Sequence, residues 1–282
     1  MNYALKDLGK KVYEITVTVP WPEVEETYQE MLEETVRNAE ISGFRKGKAP
    51  KELVEKNSNS KAFYEEVLGT LVRKTYPEIV KEKNLHPLVL SRIEILKNEE
   101  KSDWVYKITI CEAPEVDLGT YKEEIGKLSA KDKIWVPGKD KEEPKEEDKN
   151  KKLSESLAKM LEVVKIELSD LIVEDEMSKL LSELLEEIKK LGLTLDQYLL
   201  STKKTPETLK AQYREKALNS LKLEFALAKI ADSENINVTP EELEKAIKDV
   251  EDEKLKEQLK KSSYQLASLL RRQKTLDFIA GL

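Results

Sequence analysis

The segment with the most specific chemistry in this chain is Ile41-Ser42-Gly43-Phe44-Arg45-Lys46-Gly47-Lys48-Ala49-Pro50. Gly43 and Gly47 permit positive φ, so the backbone can turn tightly and project between two helices. Phe44 stands beside Arg45, Lys46 and Lys48. Over residues 41–61, Arg45, Lys46, Lys48, Lys51, Lys56 and Lys61 meet only two acidic side chains, Glu52 and Glu55. The local excess is +4 in a chain whose formal net charge is −7. An aromatic anchor ringed by cations suits docking onto an acidic protein surface with neighbouring phosphates. The alternative is a loop whose Phe44 tucks back into its own domain and leaves the lysines solvated.

Other reactive residues are sparse. Cys111 is the one cysteine and His86 the one histidine, so an internal disulfide and a cysteine-rich zinc site are excluded. A nucleophilic Cys–His pair would need Cys111 with His86, and neither sits in a recognisable motif. His86, in Leu85-His86-Pro87, reads as a surface or turn residue, and Cys111 as a small buried residue ending a strand. Glu–Lys pairs at i,i+4 read as helix-supporting surface charge. Gly9, Gly69 and Gly126 make no phosphate-binding loop and there is no Walker lysine, so neither nucleotide nor another cofactor is implied. The net charge argues against a globally basic nucleic-acid binder and leaves a local basic patch open. The start Met1-Asn2-Tyr3-Ala4-Leu5 has no basic-then-apolar signal pattern, and no stretch approaches the ~18 apolar residues of a membrane span. The single cysteine fits a reducing compartment.

The elements that must hold the loop follow from periodicity. The 282 residues suffice for about two domains. In residues 1–113, Tyr13, Ile15, Val17 and Val19 alternate with polar residues as a half-buried strand. After Pro20-Trp21-Pro22, the residues Val24, Tyr28, Met31, Leu32, Thr35, Val36 and Ala39 take helical spacing. Beyond the loop, Leu53-Val54 and then Phe63, Val67, Leu71 and Val72 continue as helix, which Pro77 is expected to kink or interrupt. Ile93 and Ile95, then Trp104, Tyr106, Ile108 and Ile110, read as two strands joined by a turn over residues 97–101. Strands, helices and strands in that order predict an α+β domain with helices on an antiparallel sheet.

Residues 114–152 change character. Between Lys131 and Lys152 stand eight Lys and seven Asp or Glu, with Pro137, Gly138 and Pro144. Such a run predicts a charged, extended linker. Residues 153–282 predict an all-α domain. Val173 through Leu191 form an apolar stripe that Gly192 ends as a C-cap, and Thr194 with Gln197 fits a capping box. Thr205-Pro206 opens a helix to about Ser233, Thr239-Pro240 opens another with Glu242 in its box, and Ser262 with Gln265 opens the last.

Gly43-Phe44-Arg45-Lys46-Gly47-Lys48-Ala49-Pro50 resembles the ribosome-docking signature of trigger factors, bacterial chaperones of the ribosomal tunnel exit. The strand–helix–loop–helix–strand order resembles the family's ribosome-binding domain. Val173 to Met177, Leu191 to Leu199, Thr202 to Glu207, Ile236 to Glu242 and Leu270 to Asp277 resemble its C-terminal helices. The family usually carries an FKBP-like prolyl isomerase domain of roughly a hundred residues between these parts. Here the interval around 117–152 is too short and too polar for one.

The resemblance implies a ribosome-binding domain over 1–113, a linker over 114–152 in place of the isomerase domain, and a helical chaperone domain with arms over 153–282. It implies an ATP-independent, non-enzymatic cytoplasmic holdase that docks at the tunnel exit on ribosomal protein and rRNA. Gly43, Phe44, Arg45, Lys46, Gly47, Lys48 and Pro50 would dock, nascent or unfolded chains would be the clients, and a homodimer off the ribosome is allowed. The competing readings are a ribosome-independent helical holdase or assembly chaperone of the same fold, and an interaction protein without clients.

Overall fold

The computed structural model describes residues 2–282 other than 40–43, 49, 52, 54–59, 100, 133–145, 249 and 251–252. The chain divides into two units, Met1–Ala113 and Pro114–Leu282.

The first unit is α+β. Strands β1 (Asn2–Gly9), β2 (Val12–Val19), β3 (Pro87–Lys97) and β4 (Trp104–Glu112) form an antiparallel sheet in the order β1-β2-β4-β3. Helices α1 (Trp21–Asn38) and α2 (Ser60–Glu82) separate the two hairpins in sequence. Period-two patterning decides which face is buried: Ile15, Val17 and Val19 of β2 and Trp104, Tyr106, Ile108 and Ile110 of β4 are all buried. Val24 and Leu32 of α1 and Phe63, Val67, Leu71 and Ile79 of α2 close over them as one core. Tyr28 meets Phe63 edge to face at 4.9 Å, which locks the two helices together. On the other face Lys107 of β4 bridges Glu14 of β2 at 3.3 Å and Glu94 of β3 at 2.7 Å.

Two details of this unit depart from sequence expectation. Strand β1 has no apolar alternation, because as an edge strand its side chains are nearly all exposed. Its hairpin turns through Gly9, Lys10 and Lys11, all at positive φ, with the Gly9 N–H donating to the Asp7 carboxylate at 2.8 Å. Pro77 does not end α2, which runs through it to Glu82. The lost hydrogen bond is outweighed by burial of Val72, Thr75 and Ile79 on either side. His86 is exposed and Cys111 fully buried, as their surroundings predict.

Among its described residues the second unit's regular structure is helical apart from a two-residue bridge between β5 (Val116–Asp117) and β6 (Lys165–Ile166). Its helices are α3 (Tyr121–Asp132), α4 (Glu146–Val163), α5 (Asp170–Lys190), α6 (Leu195–Thr202), α7 (Pro206–Ser233), α8 (Pro240–Lys248), α9 (Glu253–Lys261) and α10 (Ser263–Ala280). Residues 114–152 are therefore not all linker. Tyr121 and Ile125 of α3 are buried with Met160 of α4, Ala226 and Ile230 of α7 and Ile279 of α10 in one core. The charge density that suggests a linker belongs to residues 133–145, outside the described residues, and to the start of α4. Helix α3 carries its few apolar residues at positions that share one face. The Tyr121 hydroxyl donates to Glu234 at 3.1 Å, and Lys122 bonds the same carboxylate at 2.8 Å, pinning α3 to the end of α7.

Helix ends follow their sequence signals. Thr194 and Gln197 form a reciprocal box, as do Thr205 and Thr208, and Thr239 and Glu242. Gly192, at φ +71°, carries the end of α5: its N–H donates to the Lys189 carbonyl while the Leu193 N–H reaches that of Ile188. Ser262 is the exception. It precedes α10 but its side chain makes no cap bond, because its backbone, at φ −106° and ψ 32°, lies outside the extended region from which a cap side chain reaches back, and its N–H donates to Gln258 at the end of α9.

Candidate functional site

The first unit presents Phe44 to Lys51 after α1. Three contacts and one backbone conformation shape this segment. The Lys48 N–H donates to the Arg45 carbonyl at 2.9 Å, closing a turn over residues 45–48. Gly47 occupies the third turn position at φ +75°, the conformation that a type II turn reserves for glycine. The Gly47 N–H donates to the Ala39 carbonyl at 3.3 Å, fastening the turn back onto the end of α1. Lys51 bonds Glu33 of α1 at 2.8 Å. That hydrogen bond, then the lysine charge, holds the Glu33 carboxyl below the usual carboxylate range.

The turn is braced from behind and its charged side chains face out. Phe44 is 43% exposed, so it does not tuck into the core of its own unit. Arg45, Lys46 and Lys48 are exposed, as is Pro50, whose carbonyl accepts the Leu53 N–H at 3.0 Å. Phe44, Arg45, Lys46, Gly47, Lys48 and Pro50 thus lie together on one short projecting segment. Gly43 and Ala49 lie outside the described residues. An aromatic ring and three exposed cations on a braced turn can grip a surface of carboxylates or phosphates. Among the described residues no three His, Cys, Asp or Glu side chains converge as metal ligands.

Sequence reasoning missed the braces. Glu33 reads only as one more exposed helix charge, and the Ala39 carbonyl has no side-chain signal at all. Leu53, helical as its position in the sequence implies, is 40% exposed beside the turn.

The second unit carries a different surface. Leu191, Leu193, Leu195 and Leu200, at the turn between α5 and α6 and along α6, are all exposed, Leu200 by 79%. Tyr264 and Leu269 of α10 are exposed by 87% and 64%. The underlying core of Leu184, Ile188, Leu199 and Leu209 keeps these elements in place without covering the outer leucines.

Comparison with known proteins bears on both surfaces. Residues 1–156 match the family described as bacterial trigger factor protein, and residues 138–281 match its C-terminal family. The trigger factor of Clostridium acetobutylicum is 34% identical over 122 residues, which are 43% of this chain and 28% of that protein. That of Clostridium kluyveri is 30% identical over the same shares. The matched segment is thus less than a third of each relative's length. A solved structure described as concerning promiscuous substrate recognition by the trigger factor chaperone aligns over 99% of both chains, with TM-score 0.62 at 15% identity, a likeness of fold. The two family matches overlap at residues 138–156, so they leave no interval between them for an isomerase domain. The chain belongs to the bacterial trigger factor family, in a form without the isomerase domain.

Proposed function

We propose that this chain is an ATP-independent holdase that docks at the ribosomal tunnel exit and shields nascent polypeptides. The observation that carries the reading is the outward presentation of Phe44, Arg45, Lys46 and Lys48 on a braced turn, in a chain of this family. Phe44 is the apolar anchor. Arg45, Lys46 and Lys48 pair with carboxylates of a ribosomal protein and phosphates of rRNA. Gly47 and Pro50 frame the turn, and Gly43, outside the described residues, belongs to the same docking segment by sequence. The exposed leucines of α5 and α6, with Tyr264 and Leu269, offer clients separate apolar contacts, each weak. Such dispersed contacts suit many unfolded sequences and release them without nucleotide. The protein works in the cytoplasm with the ribosome. Off the ribosome it self-associates as a homodimer. No prolyl isomerase activity is expected.

The test is co-sedimentation with ribosomes. Replacing Phe44, Arg45 and Lys46 together by Ala should abolish binding while leaving the helical circular dichroism intact, and binding of the parent should weaken with salt. A triple variant that sediments like the parent overturns the docking assignment. A parent that never sediments but slows aggregation of an unfolded client favours the ribosome-independent holdase. A peptide isomerisation assay showing acceleration overturns the non-enzymatic reading.

A further inference from the structure

Helix α1 is an acidic mount for a basic turn. Over Trp21–Asn38 it carries Glu23, Glu25, Glu26, Glu30, Glu33 and Glu34 against the single cation Arg37. The cations of the following segment are therefore divided between that helix and any partner. Lys51 goes to the helix: its Nζ lies 2.8 Å from the Glu33 carboxylate. Arg45, Lys46 and Lys48 stand exposed on the turn itself, beside Phe44.

The place of the Lys51–Glu33 bond gives it meaning. The Gly47 N–H holds the turn to the Ala39 carbonyl by one hydrogen bond at 3.3 Å. A single attachment of that length lets a segment swing about it. Glu33 lies six residues before Ala39, so it fastens the chain a second time, about 9 Å back along the helix. Attachments at Gly47 and at Lys51 bracket Lys48, and together they set the direction in which residues 44–48 project.

We infer that Glu33 and Lys51 are positioning residues for docking: their ion pair aims the Phe44–Lys48 segment from α1, and Lys51 is not among the cations that grip the partner. The inference rests on the docking reading above. It also takes Lys51 out of the local positive excess that the sequence displays.

Two consequences separate an aiming lysine from a gripping one. Glu33 competes with the partner for a gripping lysine, so a cation in its place would tighten binding to an anionic surface. An aiming lysine loses its holder by the same change, and binding weakens although the net charge has become more favourable. Salt dependence gives the second. A phosphate contact displaces counterions, so losing one lowers the slope of log affinity against log salt by about one. Losing the aim weakens binding at every salt concentration and leaves the slope as it was, because the cost is in ordering the segment. An exposed ion pair is a modest attachment, so the expected loss is about three-fold.

The test is a titration of the labelled full chain with vacant ribosomes at several salt concentrations. Glu33→Lys and Lys51→Glu should each weaken binding about three-fold or more, and the double exchange should return it close to the parent. Lys51→Met should keep the parental salt slope, whereas Lys48→Met should lower it by about one. Lys74→Met is the control. It removes a comparable exposed bond from α2 to Glu30 of α1, 3.3 Å long, that does not touch the turn, and affinity should stay near parental. Circular dichroism and urea midpoints check that the variants fold, and Glu33→Gln carries the same predicted direction should the reversal not fold. A parent that does not bind ribosomes overturns the docking reading and this inference with it. With a binding parent, tighter binding by Glu33→Lys or Glu33→Gln overturns the inference alone. So does a double exchange no better than the single variants, or a slope that falls in Lys51→Met as it does in Lys48→Met.

Discussion

A β-carbon placed on Gly47 would stand 3.0 Å from the carbonyl oxygen of Arg37, so the exposed turn is seated against the end of α1. The turn is positioned by backbone contact, and its positive φ and its tight seat both demand glycine. Gly47→Ala adds strain of about 1–2 kcal/mol, relieved by moving the turn off α1. Ribosome affinity in a sedimentation titration should fall about ten-fold. The thermal midpoint should stay near that of the parent, because the core of Ile15, Leu71 and Ile108 is untouched.

Within that core, the Thr75 and Tyr106 hydroxyls are 2.6 Å apart and both residues are buried. Thr75→Val strands the tyrosine hydroxyl and should cost about 1–3 kcal/mol in urea unfolding. Tyr106→Phe should cost less, because the Thr75 hydroxyl lies 3.5 Å from the Val72 carbonyl and keeps a partner. The double variant should cost less than the sum of the two.

Acid should act on the helical unit through Glu242. Lys274 donates to it at 2.8 Å, and that bond, then the Thr239 backbone N–H, lowers the Glu242 pKa. A lowered carboxyl pKa contributes stability above the unfolded value of about 4.3, and the contribution is lost as pH falls through the folded one. Glu242→Gln should therefore lower the urea midpoint at pH 7, and the gap from the parent should close between about pH 5 and pH 3. A gap that is the same at both ends would assign the effect to the cap geometry alone.

Helix α3 belongs to the helical core, so its removal should be felt. A fragment of residues 114–282 should unfold cooperatively. One of residues 153–282, which loses the buried Tyr121 and Ile125, should be less stable by about 3 kcal/mol or more in urea. The point variant Ile125→Ala in the full chain should lose about 2–4 kcal/mol from the second unit alone. Equal stability of the two fragments would return α3 to the role of a linker.

Local signals in the amino-acid sequence determined much of this protein. Period-two runs at Ile15 and Ile108 and caps at Thr194, Thr205 and Thr239 act within a few residues, so each is readable before any tertiary contact exists. The Phe44–Lys48 cluster was legible for the same reason, since its charge and glycines are contiguous. Only the tertiary structure decided what depends on distant partners. Strand β1 owes its existence to hydrogen bonds with β2 and carries no pattern of its own. Pro77 stays helical because Val72, Thr75 and Ile79 are buried around it. Helix α3 is core because Tyr121 finds Glu234, more than a hundred residues away. The turn is seated on α1 because Gly47 meets the backbone of Arg37 and Ala39, and Lys51 meets Glu33. Ile93 and Ile95 alternate like any buried strand, yet at the sheet edge they are left exposed. Burial belongs to the pair of surfaces that meet, and a one-dimensional pattern records just one of them.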